Sequence, residues 1–187
     1  MNIQHLNLKF FVENPAAVDL ADFISIFNGW IQARFGEETL VDVADYRQVF
    51  AGPGVILIGH EANYSLDNTG NRLGLLYNRK AQLAGALQDR LTQAARAALH
   101  ACRRLEAERG LKFDGREAQL LVNDRLSAPN TAETFSVLAP ELESFFGRLY
   151  GGAAYTLERN PDPRERFTVT AQAATHFEVE ALLKNLN

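Results

Sequence analysis

His60 and Glu61 stand side by side in "GPGVILIGHEANYSLDNTGNRLGLLYNRK", residues 52–80, a stretch that reads as an apolar strand, a turn and a second strand. An imidazole next to a carboxylate is the material of general acid–base catalysis or of metal ligation. Geometry decides whether the two can act together. Consecutive strand residues point to opposite faces of a sheet, so a regular strand separates them. A single strand over residues 55–66 puts Ile56, Ile58, His60, Ala62, Tyr64 and Leu66 on one face, and His60 then points into the core.

Hairpin register nominates other partners. A four-residue loop Ala51–Gly54 sets Asp45 opposite His60 and matches Val43 with Ala62, Val41 with Tyr64 and Val49 with Ile56. A three-residue loop Asn68–Gly70 sets Asn78 opposite His60. Asp45, His60 and Asn78 are thus expected to form a polar row across three strands of an apolar face. A carboxylate beside an imidazole fixes its tautomer and raises its pKa, as a general base requires. Three readings stay open. The row is an inert network whose members satisfy one another, a ligand-binding site that includes Tyr64, or an acid–base pair formed by Asp45 and His60. On the opposite face Glu61, Tyr77 and Arg79 are expected together, as a solvated cluster or as an anion contact.

Little else in the chain has the spacing of chemistry. His5, His100 and His176 fall in separate elements, Cys102 is the only cysteine, and no phosphate loop, dinucleotide fingerprint or nucleophile elbow occurs. The sequence implies no metal and no cofactor.

The positioning elements follow from periodicity. Residues 3–12 alternate as a half-buried strand, and Phe23, Ile26, Phe27, Trp30 and Ile31 mark a helix entered at Asp19 and closed by Gly36. Strands follow in "TLVDVADYRQVF", "VILIGHEANYSL" and "RLGLLYNRK". An alanine-rich helix then spans 81–108 with a stripe through Leu83, Leu87, Leu91, Ala94, Ala98, Cys102 and Leu105. "AQLLVND" reads as a fifth strand. A helix capped by Asn130 and Glu133 follows, and Pro140 should kink or restart it. Strands at "AYTLER" and "RFTVTAQA" and a short helix capped by Thr175 and Glu178 complete the chain. The expected fold is α/β of the α+β kind. It is a two-layer sandwich of four helices on a largely antiparallel, mixed sheet of about seven strands, forming one domain over residues 1–187. Pseudo-halves 1–80 and 116–174, joined by the long helix 81–108, share a strand-helix-strand-strand order that suggests duplication.

With 19 Lys+Arg against 23 Asp+Glu the chain lacks the basic footprint of a nucleic-acid binder. The first residues do not read as a signal peptide, and no apolar run reaches the ~18–20 residues of a membrane span. A cytoplasmic protein without membrane association is expected.

Two resemblances bear on function. "GPGVILIGHEANYSLD", "RLGLLYNRK", "APNTAETF" and "LYGGAAYTLERNPDPR" are similar to a bacterial family of about this length to which no activity is attached. "IQHLNLKFFV" resembles the opening strand of glyoxalase/vicinal oxygen chelate modules, which would place His5 at a ligand position of a metal-dependent enzyme. The second half offers no matching His/Glu set. The function expected is therefore a binding or interaction module, self-associating or bound to a protein partner. The alternatives are a small-molecule enzyme using Asp45/His60 and a glyoxalase-like enzyme. Ligand contacts are expected among His60, Asn78, Tyr64, Glu61 and Arg79.

Overall fold

Strand alternation and helical periodicity become, in a computed structural model describing residues 1–187, eight strands and four helices. In chain order they are β1 (Leu6–Val12), α1 (Asp22–Gln32), β2 (Leu40–Tyr46), β3 (Gly54–Gly59), β4 (Ala62–Asp67), β5 (Gly74–Arg79), α2 (Leu87–Arg109), β6 (Phe113–Val122), α3 (Ala132–Leu149), β7 (Tyr155–Arg159), β8 (Phe167–Ala173) and α4 (Val179–Asn185). The strands form one open sheet in the order β2-β3-β4-β5-β1-β6-β8-β7. Every neighbouring pair is antiparallel, so the sheet is not mixed.

The helices share one face. α1 packs on β2 and β3, α2 on β1 and β5, α3 on β7, and α4 on β6. The apolar side chains of β1 that face them, Leu6, Leu8, Phe10 and Val12, join a single core with Phe27, Trp30, Leu99, Phe145 and Leu182. Burying a side chain such as Phe27, fully enclosed here, contributes about 1.5–3 kcal/mol.

The run over residues 55–66 is two strands. Gly59 and Ala62 flank a two-residue turn made by His60 and Glu61. The chain doubles back there because Gly59 has no side chain: a Cβ would sit 2.6 Å from the Ala62 carbonyl oxygen. Two turn residues switch the parity of the strand. Val55 and Leu57 face the core in β3, whereas Ala62, Tyr64 and Leu66 do so in β4. The eighth strand comes from this turn.

Three local expectations are corrected. α3 runs through Pro140 without interruption, since Pro140 lies on the exposed side, where the Ser136 carbonyl it leaves unbonded can meet water. Its cap is Thr131, whose Oγ1 accepts from Thr134 N at 3.2 Å, while Asn130 donates to the carbonyls of Asn160 and Asp162. α2 starts at Leu87, where the Asp89 carboxylate accepts from Ala86 N at 2.8 Å. No helix is long and apolar enough to cross a membrane.

Candidate functional site

The register does not assemble the polar row. Asp45 pairs with Val55 near the far end of β2, exposed, and its carboxylate holds Arg47 at 2.8–3.0 Å. His60 sits exposed in the turn, and its backbone N donates to Thr39 O. Asn78 lies opposite Asn63 on one side and Asn7 on the other, facing away from the helices. There Asn123 Nδ2 donates to Asn7 Oδ1 at 3.0 Å and to Asn78 Oδ1 at 3.4 Å, and Arg166 donates to Asn123 Oδ1 at 2.6 Å. Asp45, His60 and Asn78 therefore share no site. The loops are longer than the register assumed: residues 47–53 join β2 to β3, and 68–73 join β4 to β5.

Glu61 and Tyr77 are also apart. The Glu61 carboxylate accepts from Thr39 N at 2.7 Å and from Thr39 Oγ1 at 3.4 Å, tying the turn to the start of β2. The Thr39 backbone bond is the main reason its pKa is lowered. Its role is to hold the turn. No three His, Cys, Asp or Glu side chains, His5 included, are gathered where they could hold a metal ion.

Tyr64 and Arg79 do meet at a site. Tyr64 on β4 and Tyr77 on β5 are directly opposed and point to the helix side, their rings 5.1 Å apart. A buried phenol needs a hydrogen-bond partner, and both find the same one. Tyr64 donates to Glu38 Oε2 at 2.7 Å, and Tyr77 donates to Glu38 Oε1 at 2.8 Å. Gln93 Nε2 from α2 donates to the Tyr77 oxygen at 2.9 Å, and the Arg79 guanidinium lies beside the same hydroxyl while donating to the Ala81 carbonyl. Because Tyr77 gives its proton to Glu38, Gln93 must donate, which fixes its amide orientation. Gln93 Oε1 is left buried with no partner. Burial, and then the Glu38 carboxylate, push both phenols far above the usual tyrosine value, so both remain donors.

Glu38 reaches this position because the loop after α1 turns at Gly36, with φ +79°. A Cβ at Gly36 would meet Glu38 Oε2 at 2.9 Å, so the glycine is required by both the backbone and the carboxylate. Trp30, Phe35, Tyr64 and Tyr77 form a continuous aromatic series from α1 across the floor, with centroids 4.3, 5.8 and 5.1 Å apart.

Above this floor opens a cleft of about 1290 Å³, lined by the Phe35–Glu38 loop, Tyr64, one side of α2 and Arg148 at the end of α3. From α2 it receives Asp89, Gln93, Arg96, His100 and Arg103, spaced by three or four residues along one helix face, and Arg104, four residues after His100. Their partners differ. Arg103 pairs with Glu180 at 3.1 Å, and Arg104 pairs with Glu108 at 2.6 Å while lying 5.1 Å from the Phe35 ring. Arg148 bonds the Thr92 hydroxyl at 2.6 Å, and Arg96 bonds the Asn187 side-chain oxygen. Both of these side-chain partners are neutral, and neither guanidinium forms an ion pair. Partial burial, and then Arg103 and Arg96, hold the His100 imidazole below its ordinary value. No family model, curated protein or solved structure matches this chain.

Proposed function

We propose that the protein binds a small anionic molecule in the cleft between the Phe35–Glu38 loop, α2 and α3. The observation that carries this reading is the pair Arg96 and Arg148, two guanidiniums bonded to neutral side chains, with no ion-pair partner, lining an open cavity. A guanidinium presents a planar fork of donors suited to carboxylate and phosphate, and a concave site with a few convergent polar groups is the usual form of a ligand pocket. Glu37 and Asp89 also line the cleft, so the site is not uniformly cationic. This favours a small, oriented anion over a polyanion. The test is calorimetry with inorganic phosphate, pyrophosphate, succinate and butyrate. Binding should weaken at least about tenfold in Arg148→Gln and in Arg96→Gln, as expected when one charge-assisted contact is lost. Absence of binding by all four anions would remove the reading.

A second reading has its own observation. Val41, Tyr46, Val49 and Phe50, at 47, 46, 50 and 87% exposure, cluster on the edge strand β2 and its hairpin tip. Exposed apolar groups beside an unpaired strand edge favour strand-to-strand self-association. Light scattering on the wild type and on Phe50→Ser tests it: a monomer in both would end the idea.

A further inference from the structure

The cleft carries charge of both signs outside any ion pair, in different places. Glu38 is 8% exposed, and both of its hydrogen bonds come from neutral phenols. No Lys or Arg forms an ion pair with it; every carboxylate that does have such a partner lies elsewhere. A buried carboxylate without a cation keeps a large part of its desolvation cost, which a cationic group placed beside it would offset. Each oxygen accepts one tyrosine and has a further lone pair. Gln93 Oε1, buried and unpartnered, supplies another acceptor on a residue that lines the same cleft. Phe35 and Tyr64 line the cleft beside Glu38, and aromatic rings attract cations, as the Arg104 guanidinium 5.1 Å from the Phe35 centroid shows. Acceptors and aromatic rings therefore gather around Glu38, while the guanidiniums of Arg96 and Arg148, bonded only to neutral side chains, come from the helices.

We infer that the ligand is dipolar: an amine-bearing carboxylate or phosphate whose ammonium group sits on Glu38 against Phe35 and Tyr64, and whose anionic group is held by Arg96 and Arg148. This inference rests on the anion-binding reading and adds the second pole. An ammonium has three N–H donors, which the two Glu38 oxygens and Gln93 Oε1 can match in number. A plain anion would leave Glu38 uncompensated and would gain nothing from the floor.

Matched pairs of probes separate the two poles. Calorimetry on the full chain compares β-alanine, γ-aminobutyrate, δ-aminovalerate and ε-aminocaproate with propionate, butyrate, valerate and caproate, each pair differing only in the ammonium group. Phosphoethanolamine against ethyl phosphate gives the same comparison for phosphate, and tells a carboxylate-bearing ligand from a phosphorylated one. At one length or more the amine-bearing probe should bind about tenfold tighter than its partner, the size of one charge-assisted hydrogen bond. Glu38→Gln should erase that preference, with circular dichroism confirming that the variant is folded. The wild-type pairs decide the question even if the variant does not fold. Equal binding within every pair overturns this inference and leaves the anion reading standing. A preference that survives in folded Glu38→Gln also overturns it. Failure of every probe, with inorganic phosphate and pyrophosphate failing too, overturns both.

Discussion

The two faces of the sheet each bury charge, and they do so in opposite ways. On the side away from the helices, Lys9 of β1 and Asp67 of β4 are 3% and 4% exposed and meet at 2.5 Å. Asp67 also accepts from Thr69 N at 3.2 Å and from Thr69 Oγ1 at 2.8 Å. This group is closed: each charge has its opposite, and the remaining acceptor capacity is filled by the adjacent turn. On the helix side, Glu38 is buried to a similar degree among tyrosines, with no ion-pair partner of its own, the Arg79 guanidinium lying instead beside the Tyr77 hydroxyl, and with an unsatisfied amide oxygen close by. The paired charge is neutralised within the fold, whereas Glu38 is held by hydrogen bonds from neutral phenols alone.

Breaking the closed pair should have the largest effect. Asp67→Asn leaves the Lys9 ammonium buried without its carboxylate, a loss of about 3–5 kcal/mol, measured by urea denaturation. Replacing both with apolar residues, Lys9→Met with Asp67→Leu, should recover most of that loss, because no charge is then stranded. Burial lowers the Lys9 pKa from its ordinary 10.5 despite the opposing attraction of Asp67. The unfolded chain therefore binds more protons just below that pH, and the Lys9 contribution grows as the pH rises through the window.

The open site should respond less, and with the opposite pH sign. Tyr77→Phe and Tyr64→Phe each remove one hydrogen bond to a charged acceptor, worth about 1.5–3 kcal/mol. Both phenols have folded-state pKa values above the ordinary 10.0. Their contribution is fully present below pH 10.0 and is lost above it, as the unfolded tyrosines ionise while the folded ones do not. The stability gap between wild type and Tyr77→Phe should therefore narrow as the pH rises past 10.0. A gap that widens there would mean that Tyr77 is not held as a buried donor. Gly36→Ala should be costly at the same site, since the backbone is left-handed there and the added methyl meets Glu38.

The helices and most strands were legible because their signals are periodic and local. The stripe of α2 repeats over several turns, and packing had only to accept it; β1 was read as half-buried, whereas both its faces are buried, Asn7 and Lys9 included. The site was legible in part. Tyr64 and Arg79 were expected to contact a ligand; Tyr64 lines the cleft, whereas Arg79 lies beside the Tyr77 hydroxyl and does not line it, through a register that the sequence did not carry. One apolar run concealed the Gly59–Ala62 turn, because Ile56 and Ile58 are as apolar as Val55 and Leu57 and either parity looks like a core face. Glu38 gave no sign of burial within "GEET", where two acidic residues read as a solvated loop. The available signal was indirect: two tyrosines on core-facing positions of adjacent strands require an acceptor, and none stands on the strands themselves. Likewise the polar face of α2 reads as a solvated surface until Arg148, from a distant helix, is brought against it.

The smallest expected effect falls on the residue that most resembled chemistry. His60 is exposed, makes no side-chain hydrogen bond, and occupies a turn whose integrity depends on Glu61. His60→Ala should shift the thermal midpoint by no more than about 1–2 °C, the size of an ordinary surface substitution, and should leave ligand binding in the cleft unchanged. Glu61→Ala, one residue along, should free the Thr39 amide and speed its hydrogen exchange, since the carboxylate is what holds β2 to the turn. Had the adjacent pair been catalytic, both substitutions would act on the same activity. With the turn as their shared element, they act on nothing in common: one side chain points to water, and the other closes a hairpin.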